Sequence, residues 1–325
     1  MPTRSQIVLL TAIALSAVVA LFSNQIDPYF LLVVTNVGIN VILAVSLNLV
    51  NGYTGQFSLG HAGFMAVGAY TASAITLFMG PRLFTALGSQ GIPAVAGLFL
   101  FALIAGGLVA ALAGLIVGIP SLRLKGDYLA IVTLGFGEII RVIFRNIEVL
   151  GGALGLNGIP SYTNFFWTFG VVAITTYVVV SMVNSTYGRG FLAVHDDEVA
   201  AEAMGINTTR YKIIAFVVGA FFAGVAGGLF AHSTRSIDPR GFDFMKSIEI
   251  VVMVILGGMG NTVGVIIAAV LLTLLPEFLR PIAEYRMMIY SLLLIVLMLA
   301  RPQGLFTIRR KLSVSAGEKG PMAKA

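Results

Sequence analysis

The chain has 325 residues, of which 58% are hydrophobic and only 10% charged, with mean hydropathy +0.97 and a formal net charge of +6. A soluble globular domain carries about 25% charged residues, so this composition excludes a water-soluble globule and specifies an integral membrane protein. Cysteine is absent, which excludes disulfides and thiolate metal sites, and the three scattered histidines, His61, His195 and His232, show no metal-ligand spacing.

No Asp, Glu, Lys or Arg occurs in 28–81, 83–122, 149–188 or 250–276. A spanning helix needs about 20 apolar residues, so several of these runs hold more than one crossing. The 37 glycines suit helices that touch closely in lipid, and no period-two alternation points to barrel strands. In chain order the predicted spans are 7–23, 29–50, 57–79, 92–118, 127–147, 166–184, 212–232, 247–276 and 286–301. The first, behind Arg4, reads as a retained helix, with a cleaved signal peptide as the other reading.

Between the second and third spans, Asn51, Gln56, Ser58 and His61 set neutral hydrogen-bonding groups among glycines. They suit brief contact with a zwitterion in a pathway. They equally suit capping of helix ends at a Gly-rich break. His61 reads as a hydrogen-bonded structural histidine ahead of a proton carrier.

Small residues recur every four positions at Ala102, Gly106, Ala110, Gly114 and Gly118, and again at Ala215, Gly219, Ala223, Gly227 and Ala231. Each set is a stripe along which helix backbones approach, read first as internal packing. On the fifth span Asp127, Glu138, Arg141 and Arg145 share a face. The seam reads either as Glu138 paired with Arg141 while the arginines reach the surface, or as a pathway lining in which Glu138 is the carboxylate of interest.

The segment 186–212 is a polar island. A short amphipathic helix is predicted over Asp197 to Met204, with Asp196 as N-cap, Asp197 and Glu198 at the positive end of its dipole, and Gly205 as the left-handed stop. Val199, Ala203 and Ile206 fall on one face, Glu198 and Glu202 on another. It either receives a push from an external ATPase or rests on lipid headgroups.

Basic residues orient the bundle, with Arg123 and Lys125, Arg189, Arg210 and Lys212, and Arg309, Arg310 and Lys311 expected in the cytoplasm. With 186–212 inside, an even number of later crossings must bring the tail back inside. The run 247–276 is therefore predicted to be a hairpin or a pair of short helices, broken at Gly257, Gly258, Met259, Gly260 and Asn261. The fold expected is an all-α polytopic bundle of about eight to ten spans. It makes one permease-like domain over 1–308, followed by a basic tail, 309–325, expected to be disordered in the cytoplasm.

No G-x-x-x-x-G-K-[ST] phosphate cradle occurs, so the chain is not expected to hydrolyse ATP. No nucleophile, metal or paired-carboxylate constellation marks a membrane enzyme. Asn51–Ser73 (NGYTGQFSLGHAGFMAVGAYTAS), Gly126–Arg141 (GDYLAIVTLGFGEIIR), Gly151–Pro160 (GGALGLNGIP), His195–Asn207 (HDDEVAAEAMGIN) and Gly257–Gly264 (GGMGNTVG) lie in one order along nearly the whole chain. Together they resemble the signatures of the high-affinity branched-chain amino acid ABC permease family, in its LivM-type subunit.

The resemblance implies an inner-membrane importer subunit with no cofactor of its own. Its partners would be a second, LivH-type permease, two cytoplasmic ATPases that bind ATP and Mg, a periplasmic amino acid binding protein and membrane lipid, with no nucleic acid. It also implies that His195 to Gly205, with Asp196, Asp197, Glu198 and Glu202, form the coupling helix. His195 stands where the family commonly has Arg, and Leu150 where it has Thr. Relatives that carry urea or short amides share much of the pattern, and an ion-coupled secondary transporter is the reading from another class.

Overall fold

The computed structural model describes residues 4–21, 27–87, 91–121, 127–280 and scattered positions between 285 and 296. Arg123, Lys125, the basic tail 309–325 and most of the predicted span 286–301 lie outside the described residues. Helix α1 (Arg4–Leu21) precedes α2 (Pro28–Asn51). Asp27 caps α2, its carboxylate accepting from the Tyr29 amide at 2.8 Å, and Pro28 supplies the preset φ of the first turn. From Thr35 onward nearly every α2 residue is buried, as expected of a helix apolar on all sides.

Next in chain order come α3 (His61–Ala74), α5 (Ile92–Ser121), α6 (Asp127–Asn146) and α7 (Phe165–Asn184), of which α7 packs against α2. A π-helical stretch, Ile75–Met79, carries α3 into α4 (Gly80–Leu87). After α7 come α8 (Thr186–Asp196) and α9 (Glu198–Ala203), then the long α10 (Thr208–Thr234) and finally α11 (Phe244–Gly257) and α12 (Thr262–Phe278). Among the described residues, five helices are long and apolar enough to cross a membrane: 28–51, 61–82, 93–121, 165–184 and 208–234.

The small-residue stripes are packing surfaces. Helix α10 lies against α5, α3 and α2. A Cβ on Gly106 would stand 2.9 Å from the Gly68 carbonyl oxygen, and one on Gly114 would stand 2.6 Å from the Ala220 methyl. Gly219 faces Val50 and the Ser46 carbonyl of α2, and Gly227 faces Met65 of α3. Lipid supplies no hydrophobic drive between helices, so close van der Waals contact holds this centre together.

The third predicted span starts later than 57, because 52–60 is a turn and α3 begins only at His61. The run 247–276 is two helices, as parity required. They pack as a hairpin whose turn holds Gly258 at φ 94° and Gly260 at φ 78°, and the Asn261 side chain caps α12 through the Gly264 amide at 3.2 Å. At the end of the bundle away from α8 and α9, an antiparallel two-residue pairing joins β1 (Leu156–Asn157) to β2 (Ser236–Ile237). It ties the loop after α6 to the loop after α10.

Candidate functional site

The α8–α9 elbow is the first candidate. Asp197, not Asp196, caps α9: its carboxylate accepts from the amides of Val199 at 2.9 Å and Ala200 at 3.0 Å. The physical reason for this correction is that Asp196 is already the last helical residue of α8, while Asp197 is extended at φ −156° and ψ 110°, the backbone a cap needs. The predicted helix is also shorter, ending at Ala203. Gly205 stops it at φ 82°, donating to the Glu202 carbonyl at 2.9 Å.

Glu198 and Glu202 both reach α10, although Glu202 stays exposed. Glu198 pairs with Lys212 of α10 at 2.6 Å, and Glu202 accepts from the Thr208 hydroxyl at 2.7 Å. The Lys212 side chain is only 1% exposed, so this pair is a buried cation held by a carboxylate. Val199 and Met204 point outward at 67% and 82% exposure, and Ala203 is exposed beside them. The elbow is thus bolted to α10 on one side and offers a small apolar face on the other. His195 lies on α8, its Nδ1 3.1 Å from the Asp196 carboxylate.

A second region lies where the α2–α3 turn meets the α11–α12 turn. Asn48 accepts from the Gly260 amide at 2.9 Å, Tyr53 and Thr262 share a hydrogen bond of 2.8 Å, and Asn51 accepts from the Ser58 amide at 3.2 Å. The Ala62 amide donates to the Ser247 hydroxyl at 3.2 Å, and the His61 Nε2 lies 2.9 Å from the Ser46 hydroxyl. Asn51, Gln56, Ser58, His61, Gly257, Gly258, Gly260 and Asn261 are therefore brought to one double break. Most of their bonds serve helix ends and the turn or join helices, and His61 is 3% exposed. Asn48 Nδ2, Asn51 Nδ2 and Gln56 Oε1 are buried there without a hydrogen-bond partner among the described residues.

The two regions touch. A Cβ on Gly55, in the α2–α3 turn, would stand 3.4 Å from the His195 ring. Glu138 borders a small space beside Leu59, Gly63 and Ser247, half-buried and bound to Arg141 of its own helix at 2.8 Å through Nε, and Arg145 is exposed. The side chain of Asp127 is outside the described residues.

Sequence reasoning missed a third cluster. Lys246 and Glu249 of α11 form an ion pair at 3.0 Å, and the Lys246 ammonium also donates to the Asn40 carbonyl oxygen at 3.3 Å. Asn40 in turn donates to the Thr273 hydroxyl at 3.0 Å. The signal was available: two opposite charges three residues apart at the mouth of an otherwise charge-free run.

A family model described as branched-chain amino acid transport system, permease component, matches residues 29–300. The high-affinity branched-chain amino acid transport system permease protein LivM of Salmonella typhimurium is 35% identical, over 88% of this chain and 72% of its own length. LivM of Escherichia coli is 35% identical over 84% of this chain and 68% of its own. The permease protein LivH of Escherichia coli is 31% identical over 42% of this chain and 43% of its own. No solved structure matches the chain.

Proposed function

This chain belongs to the branched-chain amino acid transport permease family, and on that premise we propose that it is the membrane-spanning subunit of an ATP-driven importer for branched-chain amino acids. It stands in the cytoplasmic membrane beside a second, LivH-type permease. Two cytoplasmic ATPases bind ATP and Mg, and a periplasmic binding protein delivers substrate. The chain itself does no covalent chemistry.

The observation that carries this reading is the elbow. Helix α9 is too short to be stable alone, yet it is capped at both ends and anchored to α10 by Glu198 and Lys212, with Val199 and Met204 outward. A rigid lever with an apolar tip suits docking against a soluble motor. Displacement of the elbow reaches the bundle by two routes: directly into α10 through Lys212, and through His195 against the α2–α3 turn at Gly55. The second route ends at the double break, where α11 and α12 also turn. A push at the elbow thus acts on the point where the α2–α3 turn meets the turn of the α11–α12 hairpin.

The test is reconstitution. Proteoliposomes holding both permeases and the ATPases, with ATP inside and the binding protein outside, should accumulate leucine, and should stop when ATP is left out. Accumulation by this chain alone would overturn the reading. Uptake of urea or short amides in place of leucine would move the substrate while leaving the mechanism.

A further inference from the structure

The Lys246–Glu249 cluster lines a cavity of about 230 Å³ between α2, α11 and α12. That is smaller than a typical drug-sized pocket, which begins near 300 Å³, and larger than a few waters need at about 30 Å³ each. Asn40 lies midway along α2, about 18 Å from its capped start at 1.5 Å per residue, so the charges sit at the depth of the bundle's middle. Ionisable groups at that depth are costly and mark a site more often than they stabilise a fold. Helix α11 also begins beside this cavity after the short 3₁₀ helix Pro239–Phe242, and discontinuous helices commonly frame substrate sites in transporters.

The walls carry both kinds of chemistry. Lys246, Glu249 and the amide of Asn40, which is 7% exposed, line the space with Asn36 and Thr273 as further polar groups. Ile39, Met65, Phe230, Leu272 and Pro276 make the apolar part. Lys246 is 22% and Glu249 37% exposed, so neither side chain is fully enclosed by the protein although they touch each other, and both belong to the cavity lining.

We propose that this cavity is a contact site for a small zwitterion with an apolar side chain, Lys246 donating to its carboxylate and Glu249 accepting from its ammonium. A ligand carrying both charges replaces the Lys246–Glu249 bond with two equivalent ones, so the pair opens without leaving a charge unmet. A ligand with one charge leaves the other partner bare. The proposal rests on the amino acid transport reading and adds to it the groups that meet the substrate inside the membrane.

The chain has no native cysteine, so Asn36→Cys, at the cavity wall one turn from Asn40, reports this site alone on this subunit. In the purified permease–ATPase complex, leucine should slow modification of that cysteine by a small thiol reagent several-fold. Leucinamide, which lacks the carboxylate, and 4-methylpentanoate, which lacks the ammonium, should protect weakly. Adding Lys246→Gln should raise the leucine concentration for half-protection about tenfold, the loss of one charge-assisted hydrogen bond. If that variant does not assemble, Glu249→Gln serves, and should bring leucine down to the protection given by 4-methylpentanoate. No protection by leucine, or equal protection by all three compounds, overturns the site while wild-type uptake continues. A wild-type complex that takes up no leucine overturns the transport reading and the site with it.

Discussion

Glu198 and Lys212 do not contribute symmetrically, although they share one bond. Lys212 is buried and Glu198 is 22% exposed. Removing the carboxylate leaves a cation in a dry place, a loss of about 3–5 kcal/mol when a buried pair is broken from one side. Removing the cation leaves a carboxylate that water can reach. Glu198→Gln should therefore lower the thermal midpoint of the purified complex more than Lys212→Met does, and a reversed order would show that the pair is not buried in the assembly. The same logic of local need separates two glycines. Gly260 holds φ 78° with its Cβ position 3.3 Å from the Gly52 carbonyl oxygen, whereas Gly170 meets nothing within 4 Å. Gly260→Leu should cost about 1–3 kcal/mol in backbone strain and impair assembly or uptake. Gly170→Leu should be tolerated, and equal damage at both positions would refute a special role for the break.

Whole helices were legible where composition alone determines them and illegible where packing does. Helix α2 could be read from Asp27–Pro28 and its apolar run, and the division of 247–276 followed from charge parity and four glycines. Helix α8 could not, because Gly188 and Gly190 argue against a helix. In the fold Gly188 lies against the Val183 backbone and Gly190 against the Tyr211 ring, where a side chain has no room, so tertiary contact overrides propensity. That hidden helix also moved the cap by one residue, from Asp196 to Asp197. Within the elbow, Gly205 has open space around it but a left-handed backbone. Gly205→Val should fray α9 without disturbing the bundle, lowering substrate-stimulated ATP hydrolysis while the complex still assembles. Wild-type stimulation in that variant would remove α9 from the coupling path. For the α11–α12 hairpin, Tyr29 of α2 donates to the Glu277 carboxylate of α12, which sets the end of α12 beside the start of α2. A cysteine at Glu277 should react with an impermeant reagent added outside the cell. Labelling from the cytoplasm alone would refute the hairpin.

For the whole molecule the question is where the energy enters. An ion-coupled transporter needs a carboxylate that binds and releases protons within the pathway, and on α6 that group would be Glu138. Its side chain is held by Arg141 at 2.5 Å, both are about one-third exposed, and they lie on one helix three residues apart. A partner three residues away on the same helix moves with the carboxylate, so a rigid-body shift of α6 does not by itself change that pairing. The elbow, by contrast, joins α7 to α10 and bears on the α2–α3 turn, which places a single lever under most of the buried centre. Energy should therefore enter at α8–α9 and not through a proton gradient. In cells whose ATP is held constant, an uncoupler should leave leucine uptake by the wild-type complex and by Glu138→Gln unchanged. Uptake that collapses with the gradient would return the chain to the secondary transporters, and collapse in the wild type but not in Glu138→Gln would identify that carboxylate as the proton carrier.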